Sequence, residues 1–135
     1  MAVQTTLQTQ NRNVTREILD QEITQKIFID TTVTPLTSGD YYRLFHYDAN
    51  TIINEVLVTN HTTEGAAETT DITDDESGTT TLVSSHTCND ATTTTKYTTG
   101  LKKAAAGYIS MKPDAALTAW KGWVVVKLIK LRTTD

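Results

Sequence analysis

Threonine occupies 29 of the 135 positions, and a chain so rich in a β-branched residue is biased towards extended backbone. Two heavy atoms on Cβ restrict χ1 and lower helix propensity, while the same branching packs well on a pleated surface. Ile, Leu, Val and Phe together hold only 30 of the 135 positions, close to the level at which chains stop folding alone. A chain of this length supports one domain around one core. That core is thin, so a β-rich domain that draws stability from packing or from partners is the first expectation.

Several classes drop out on composition. Cys88 is the lone cysteine, so no disulfide framework is available. The opening MAVQTTLQTQNRN lacks a basic n-region and an apolar h-region, and a secretory signal is not expected. The most apolar run, Trp123 to Leu131, carries Lys127 and Lys130, which argues against a membrane span. Twelve basic residues against 16 acidic ones, with a pI near 5.3, argue against a general nucleic-acid binder. Synthesis in the cytoplasm, with no nucleic-acid and no membrane partner, is the expectation.

Along the chain, residues 1–12 hold few apolar side chains, among them Val3 and Leu7, and read as an extended arm without an internal partner. Residues 13–135 read as the folded domain. In NVTREILDQEITQKIFID, Val14, Ile18 and Glu22 lie four apart, and Thr15 could cap a short helix with Glu17 and Asp20 near its amino end. The same stretch can be extended. Ile23, Ile27 and Ile29 then change the period to two, which predicts a strand from about Gln25 to Val33. Strands are predicted over Asp40–Asp48 and Thr51–Thr59, joined by a DAN turn, each with apolar groups on both faces. NHTTEGAAETTDITDDESG reads as an acidic loop and TTTLVSS as a strand. TCNDATTTTKYTTG is a loop or edge strand, GYISMKP a strand, and WKGWVVVKLIKL a long closing strand. Six to eight strands with little helix predict an all-β, single-domain β-sandwich of jelly-roll type.

Charge is segregated. Between Leu44 and Thr95 stand nine acids and no Lys or Arg, whereas Lys96 to Arg132 holds eight basic residues and one acid, Asp114. Pairing of sequential segments within one sheet would neutralise these charges across strands. An oligomer or lattice contact, in which the acidic loop of one copy meets basic surface on another, is the second reading.

Chemical motifs are sparse. His86 and Cys88, two apart, would share a strand face, but two ligands do not make a zinc site, and His46 and His61 complete one only through a coincidence of folding. Asp71, Thr73, Asp75 and Ser77 alternate as in a calcium loop, yet the bidentate Glu and mid-loop Gly are missing, so the segment reads as a solvated acidic turn or a weak cation site. No nucleophile elbow and no phosphate-binding glycine loop occurs. Asn13-Val-Thr15 and Asn60-His-Thr62 match the glycosylation sequon only by chance if no secretory signal is present. No catalytic residues, resident metal or cofactor are therefore expected. Trp120 and Trp123, on either side of Gly122, suit core or interface anchoring.

SGDYYRLFHYDANTIINEVLV, the acidic DITDDESG segment and the closing GYISMKPDAALTAWKGWVVVKLIKL resemble the small head proteins of tailed phages described as decoration, cement or auxiliary capsid proteins. A Gly-Asp turn leads into an R-L strand, a short turn and an I-x-x-V-x-V strand. A Gly-Tyr-Ile strand and an apolar terminal strand close the domain. The likeness spans about residues 36–132. Where relatives often place Pro in the first turn, this chain has Tyr47-Asp48. The resemblance implies a non-enzymatic β-sandwich that sits on the outer capsid surface of the virion, stabilises the major capsid protein lattice and forms homo-oligomers, dimers or trimers. The contact candidates are Val3, Leu7, Arg12 and Arg16 of the amino-terminal segment, the acids Asp71, Asp74, Asp75 and Glu76, and the tryptophans Trp120 and Trp123. The alternatives are another head-tail or tail component of the virion, or a carbohydrate- or cation-binding β-module with the two tryptophans as its stacking platform.

Overall fold

The computed structural model describes residues 3–4, 22–74, 80–90 and 94–131. Within them lie strands β1 (Val3–Gln4), β2 (Glu22–Asp30), β3 (Tyr41–Tyr47), β4 (Thr51–Thr62), β5 (Thr69–Asp74), β6 (Thr80–Thr87), β7 (Thr94–Lys103), β8 (Gly107–Pro113) and β9 (Lys121–Lys130). They form two sheets, ordered β1-β3-β8-β5-β6 and β2-β9-β4-β7. All pairings are antiparallel except β1 on β3. The all-β sandwich is as expected. The alternative of a short helix over residues 14–22 falls outside the described residues apart from Glu22, which opens β2.

In the four-stranded sheet, strict alternation makes the inner face. Ile27, Val124 and Val58 stand in one cross-strand row, and Leu128 and Ile53 in another. All are 0–4 % exposed, and at roughly 1.5 to 3 kcal/mol for each large aliphatic side chain this layer is a principal source of stability. β9 lies between β2 and β4, as an apolar closing strand should. Gly122 is required there because a Cβ would stand 2.2 Å from the Trp120 ring and 2.5 Å from the Thr59 carbonyl oxygen. The absent side chain lets the buried indole lie against the strand.

The structure corrects two sequence expectations. The acidic stretch is not one loop, since Thr69–Asp74 forms β5 between β8 and β6. β5 was hidden because its buried positions include Thr70, Thr73 and Asp74 as well as Ile72. Second, part of the apparent two-faced apolarity of β3 comes from a bulge between Arg43 and Phe45, while β4, central in its sheet and bulged between Ile53 and Glu55, carries apolar groups on both faces. An extra residue reverses the alternation, so Leu44 and Phe45 are both buried, and Ile53 shares the core with Val56 and Val58. β1 pairs in parallel with Tyr41 and Tyr42, and the rest of residues 1–12, read from the sequence as an arm, lies outside the described residues. In the turn between β3 and β4, Asn50 takes φ of 59°, a left-handed conformation that Asn tolerates well, and its carbonyl accepts the Leu131 N–H at 2.8 Å.

Candidate assembly surface

The outer face of the four-stranded sheet is built by the residues that alternate with the core. Register places Phe28, Trp123 and Thr59 in one row, Lys26, Val125 and Leu57 in the next, and Ile129 beside Ile52 further along. Phe28, Trp123, Val125, Leu57, Ile129 and Ile52 are half-buried rather than solvated. A sheet with one free face normally carries polar residues there; here Phe28, Trp123, Val125 and Leu57 fill two adjoining rows as a contact-sized patch, and the Thr24–Lys127–Glu55 row separates it from Ile129 and Ile52. Phe28 and Trp123 pack at 4.8 Å between ring centroids, with His61 edge-on to Phe28 at 5.7 Å. The Lys26 ammonium lies 5.5 Å from the Trp123 ring, within cation–π range.

Charged pairs stand between these rows and elsewhere on the sandwich. Glu55 lies between Lys96 (3.5 Å) and Lys127 (3.8 Å), and Asp30 meets Lys121 at 3.7 Å. Asp48 takes Lys130 at 2.7 Å, and Asp74 takes Lys103. Acids from the first half of the chain thus meet lysines from the second within one protomer, which supports intrachain neutralisation as the reading of the segregated charge.

The opposite sheet and its connections bury polar groups and pair several of them. Asp74, fully buried, accepts the Tyr47 hydroxyl and meets Lys103, which reaches across from β7. Glu64 lies in the β4–β5 connection, and its Oε2 accepts the backbone N–H groups of Thr118 (3.2 Å), Ala119 (3.0 Å) and Trp120 (3.0 Å). The result is a carboxylate held in a row of amides. Asn60 Oδ1 accepts the Trp120 indole N–H at 2.7 Å and lies 2.8 Å from His86 Nε2. Because Oδ1 can only accept, His86 carries its proton on Nε2. Burial lowers the His86 pKa to about 4 and raises the Cys88 thiol to about 12. Neither is poised to titrate or attack at neutral pH. Among the described residues no group of three His, Cys, Asp or Glu side chains could hold a metal ion.

These positions sort the contact candidates. Trp123 stands on the outer face. Asp71 is half-buried and its Oδ1 accepts the Ser85 N–H at 2.8 Å. Two candidates are corrected: Trp120 and Asp74 are both 0 % exposed inside the sandwich, satisfied by Asn60 and by Tyr47 and Lys103, so they cannot meet a partner in this fold. Val3 lies on β1, and Leu7, Arg12, Arg16, Asp75 and Glu76 fall outside the described residues. Sequence reasoning missed Phe28, Leu57, Ile52 and Ile129 as surface groups. Their signal was present in β2, β4 and β9 as apolar residues on the face opposite the core rows.

No family model matches the chain, and no curated protein does. Among solved structures, it is similar to a chain in the capsid of Ralstonia phage GP4, with a TM-score of 0.64 and 10 % identity over 98 % of this chain and 100 % of that one. It is also similar to a chain in the cyanophage Pam1 capsid asymmetric unit, with a TM-score of 0.57 and 16 % identity over 83 % of this chain and 84 % of the other. At these identities the likeness establishes a shared fold. The sandwich is thus one found in phage capsids.

Proposed function

We propose that this chain is a non-enzymatic structural component of a phage virion that binds the outer face of the capsid and stabilises the lattice of its major capsid protein. The observation that carries the reading is the apolar outer face of the four-stranded sheet around Trp123 and Val125, a surface suited to burial against a flat protein partner. End-to-end likeness to a chain in a phage capsid, with almost no length left over on either side, supports it further. The carbohydrate-module reading loses half of its platform with Trp120 buried.

The test is to incubate the purified protein with expanded, undecorated capsids and count bound copies. Stoichiometry tied to capsomer number is expected, and Val125→Lys on the outer face should abolish it while leaving a folded protein. Absence of binding by the unaltered protein would remove the capsid role, and full binding by Val125→Lys would move the contact to another surface.

A further inference from the structure

β2 is an edge strand. It pairs with β9 from Glu22 to Asp30, and no described strand lies along its other side. At its centre, Gln25 faces inward in a row with Val126, Val56 and Tyr97. Gln25 is 8 % exposed, and among the described residues neither its Nε2 nor its Oε1 has a hydrogen-bond partner. A buried amide with both ends unsatisfied carries a desolvation penalty that folding of one copy leaves uncompensated. It sits on a strand whose open edge is a template for another strand.

We propose that two copies of this chain pair antiparallel along the free edges of β2, about a twofold axis at Gln25, so that the two Gln25 amides hydrogen-bond each other. An antiparallel pair places directly opposed residues on the same face with Cβ atoms about 4.5–5.5 Å apart. The two amides can then each donate Nε2–H to the other's Oε1. The rest of the strand fits this register. Ile23 opposes Ile27 on the inner side, and on the outer side Lys26 opposes Thr24, an uncharged neighbour. Moving the axis to Lys26 would set Lys26 against Lys26 and Glu22 against Asp30, two like-charge pairs that destabilise. Moving it to Thr24 or Ile27 leaves each Gln25 opposite Ile23 or Ile29, still unsatisfied. Such an isologous contact closes on itself. It joins two four-stranded sheets into one and makes their apolar outer faces continuous. The inference does not rest on the capsid reading, because it concerns the isolated protein and its own copy.

Thr24 is exposed, so charges placed there report on the partner rather than on folding. By sedimentation equilibrium of the full chain, Thr24→Glu should tighten dimerisation and Thr24→Lys weaken it, each by roughly threefold to tenfold, since the axis duplicates every cross-strand pair with Lys26. Both shifts should shrink in high salt. Under oxidising conditions Gln25→Cys should yield a disulfide-linked dimer, because residues opposed at the axis lie within disulfide reach, while Cys88 is fully buried. A protein that stays monomeric at all concentrations overturns the proposal. So do two Thr24 variants that shift affinity in the same direction, or a soluble Gln25→Cys protein that forms no covalent dimer.

Discussion

The two sheets bury themselves by different means. In the four-stranded sheet β2 and β9 run in unbroken register over nine residues each, from Glu22–Ile129 to Asp30–Lys121, and the register breaks fall on β4. Its inner rows are mostly aliphatic, with Tyr97 packed against them and Gln25 and Thr51 as their buried polar members. The five-stranded sheet breaks register in β3–β8 and twice in β5–β6, and buries Thr70, Thr73, Asp74, His86 and Ser110. Where the first sheet buries two polar side chains on its strands, the second buries five and satisfies several with specific partners. The lesson is that a thin, threonine-rich core is completed by polar groups wherever aliphatic residues run out. Each sheet should therefore fail by the opposite insult, one by gaining a charge and the other by losing one.

The largest effect should come from adding a charge to the regular sheet. Val126 and Val125 are neighbours on β9, but Val126 is 0 % exposed in the core while Val125 faces outward. Val126→Asp sets an unpaired carboxylate among Val56, Gln25 and Tyr97 and should cost several kcal/mol, much of the roughly 5 to 15 kcal/mol available to a small domain. Val125→Asp should cost under about 1 kcal/mol. Urea unfolding of both measures the difference. Similar losses would mean that the outer face is as dry as the inner one.

The irregular sheet should break when a charge is removed. Lys103→Met leaves Asp74 buried beside Tyr47 without its cation, and breaking a buried pair from one side costs about 3 to 5 kcal/mol. Adding Asp74→Asn to Lys103→Met should restore part of that loss, because a neutral amide can still accept from Tyr47. If the double variant is no more stable than Lys103→Met alone, the ion pair is not what holds β5 to β7.

A smaller loss is expected from Glu64→Ala, which strands the amides of Thr118, Ala119 and Trp120 at about 2 to 3 kcal/mol. Glu64→Gln should lose about half as much, since Oε1 of the amide still accepts while the charge is gone. Amide exchange at these three positions is the direct readout. Unchanged protection in Glu64→Ala would assign their hydrogen bonds elsewhere.

The same contrast explains what the sequence disclosed. β9 and β2 were legible because Val124, Val126 and Leu128, and Ile27 and Ile29, repeat every second residue and water exclusion has one solution for such a pattern. β5 was not, because nothing in TTDITD says that Asp74 will find Tyr47 and Lys103, from 27 and 29 positions away in the chain. The bulges in β3 and β4 were equally silent. Both sets of alternating positions contained apolar residues, and only the partner strand decides which residue is the extra one. Trp123 was legible as an anchor because of its size. The patch around it was less so, since Phe28, Leu57 and Val125 come from three strands and meet only through register.

The smallest effect in this series is the pH response of His86, and its sign follows from which state binds the proton. Burial holds the folded-state pKa near 4, against an ordinary value of 6.5, while the ring's Nε2–H is committed to Asn60. The unfolded chain therefore takes up a proton first as pH falls, and stability contributed by the neutral ring is intact above about pH 6.5 and drains away between 6.5 and 4. A tenfold difference in proton affinity between the two states corresponds to about 1.4 kcal/mol. With solvent screening discounted, the loss at pH 4.5 should be about 1 to 2 kcal/mol. His86→Gln keeps a donor for Asn60 but cannot titrate. Across this window its unfolding free energy should fall less steeply than that of the unaltered protein, with the remaining slope due to carboxylates. Parallel slopes would show that His86 is protonated as easily in the fold as out of it, and the polar interior beside Trp120 would then be open to water.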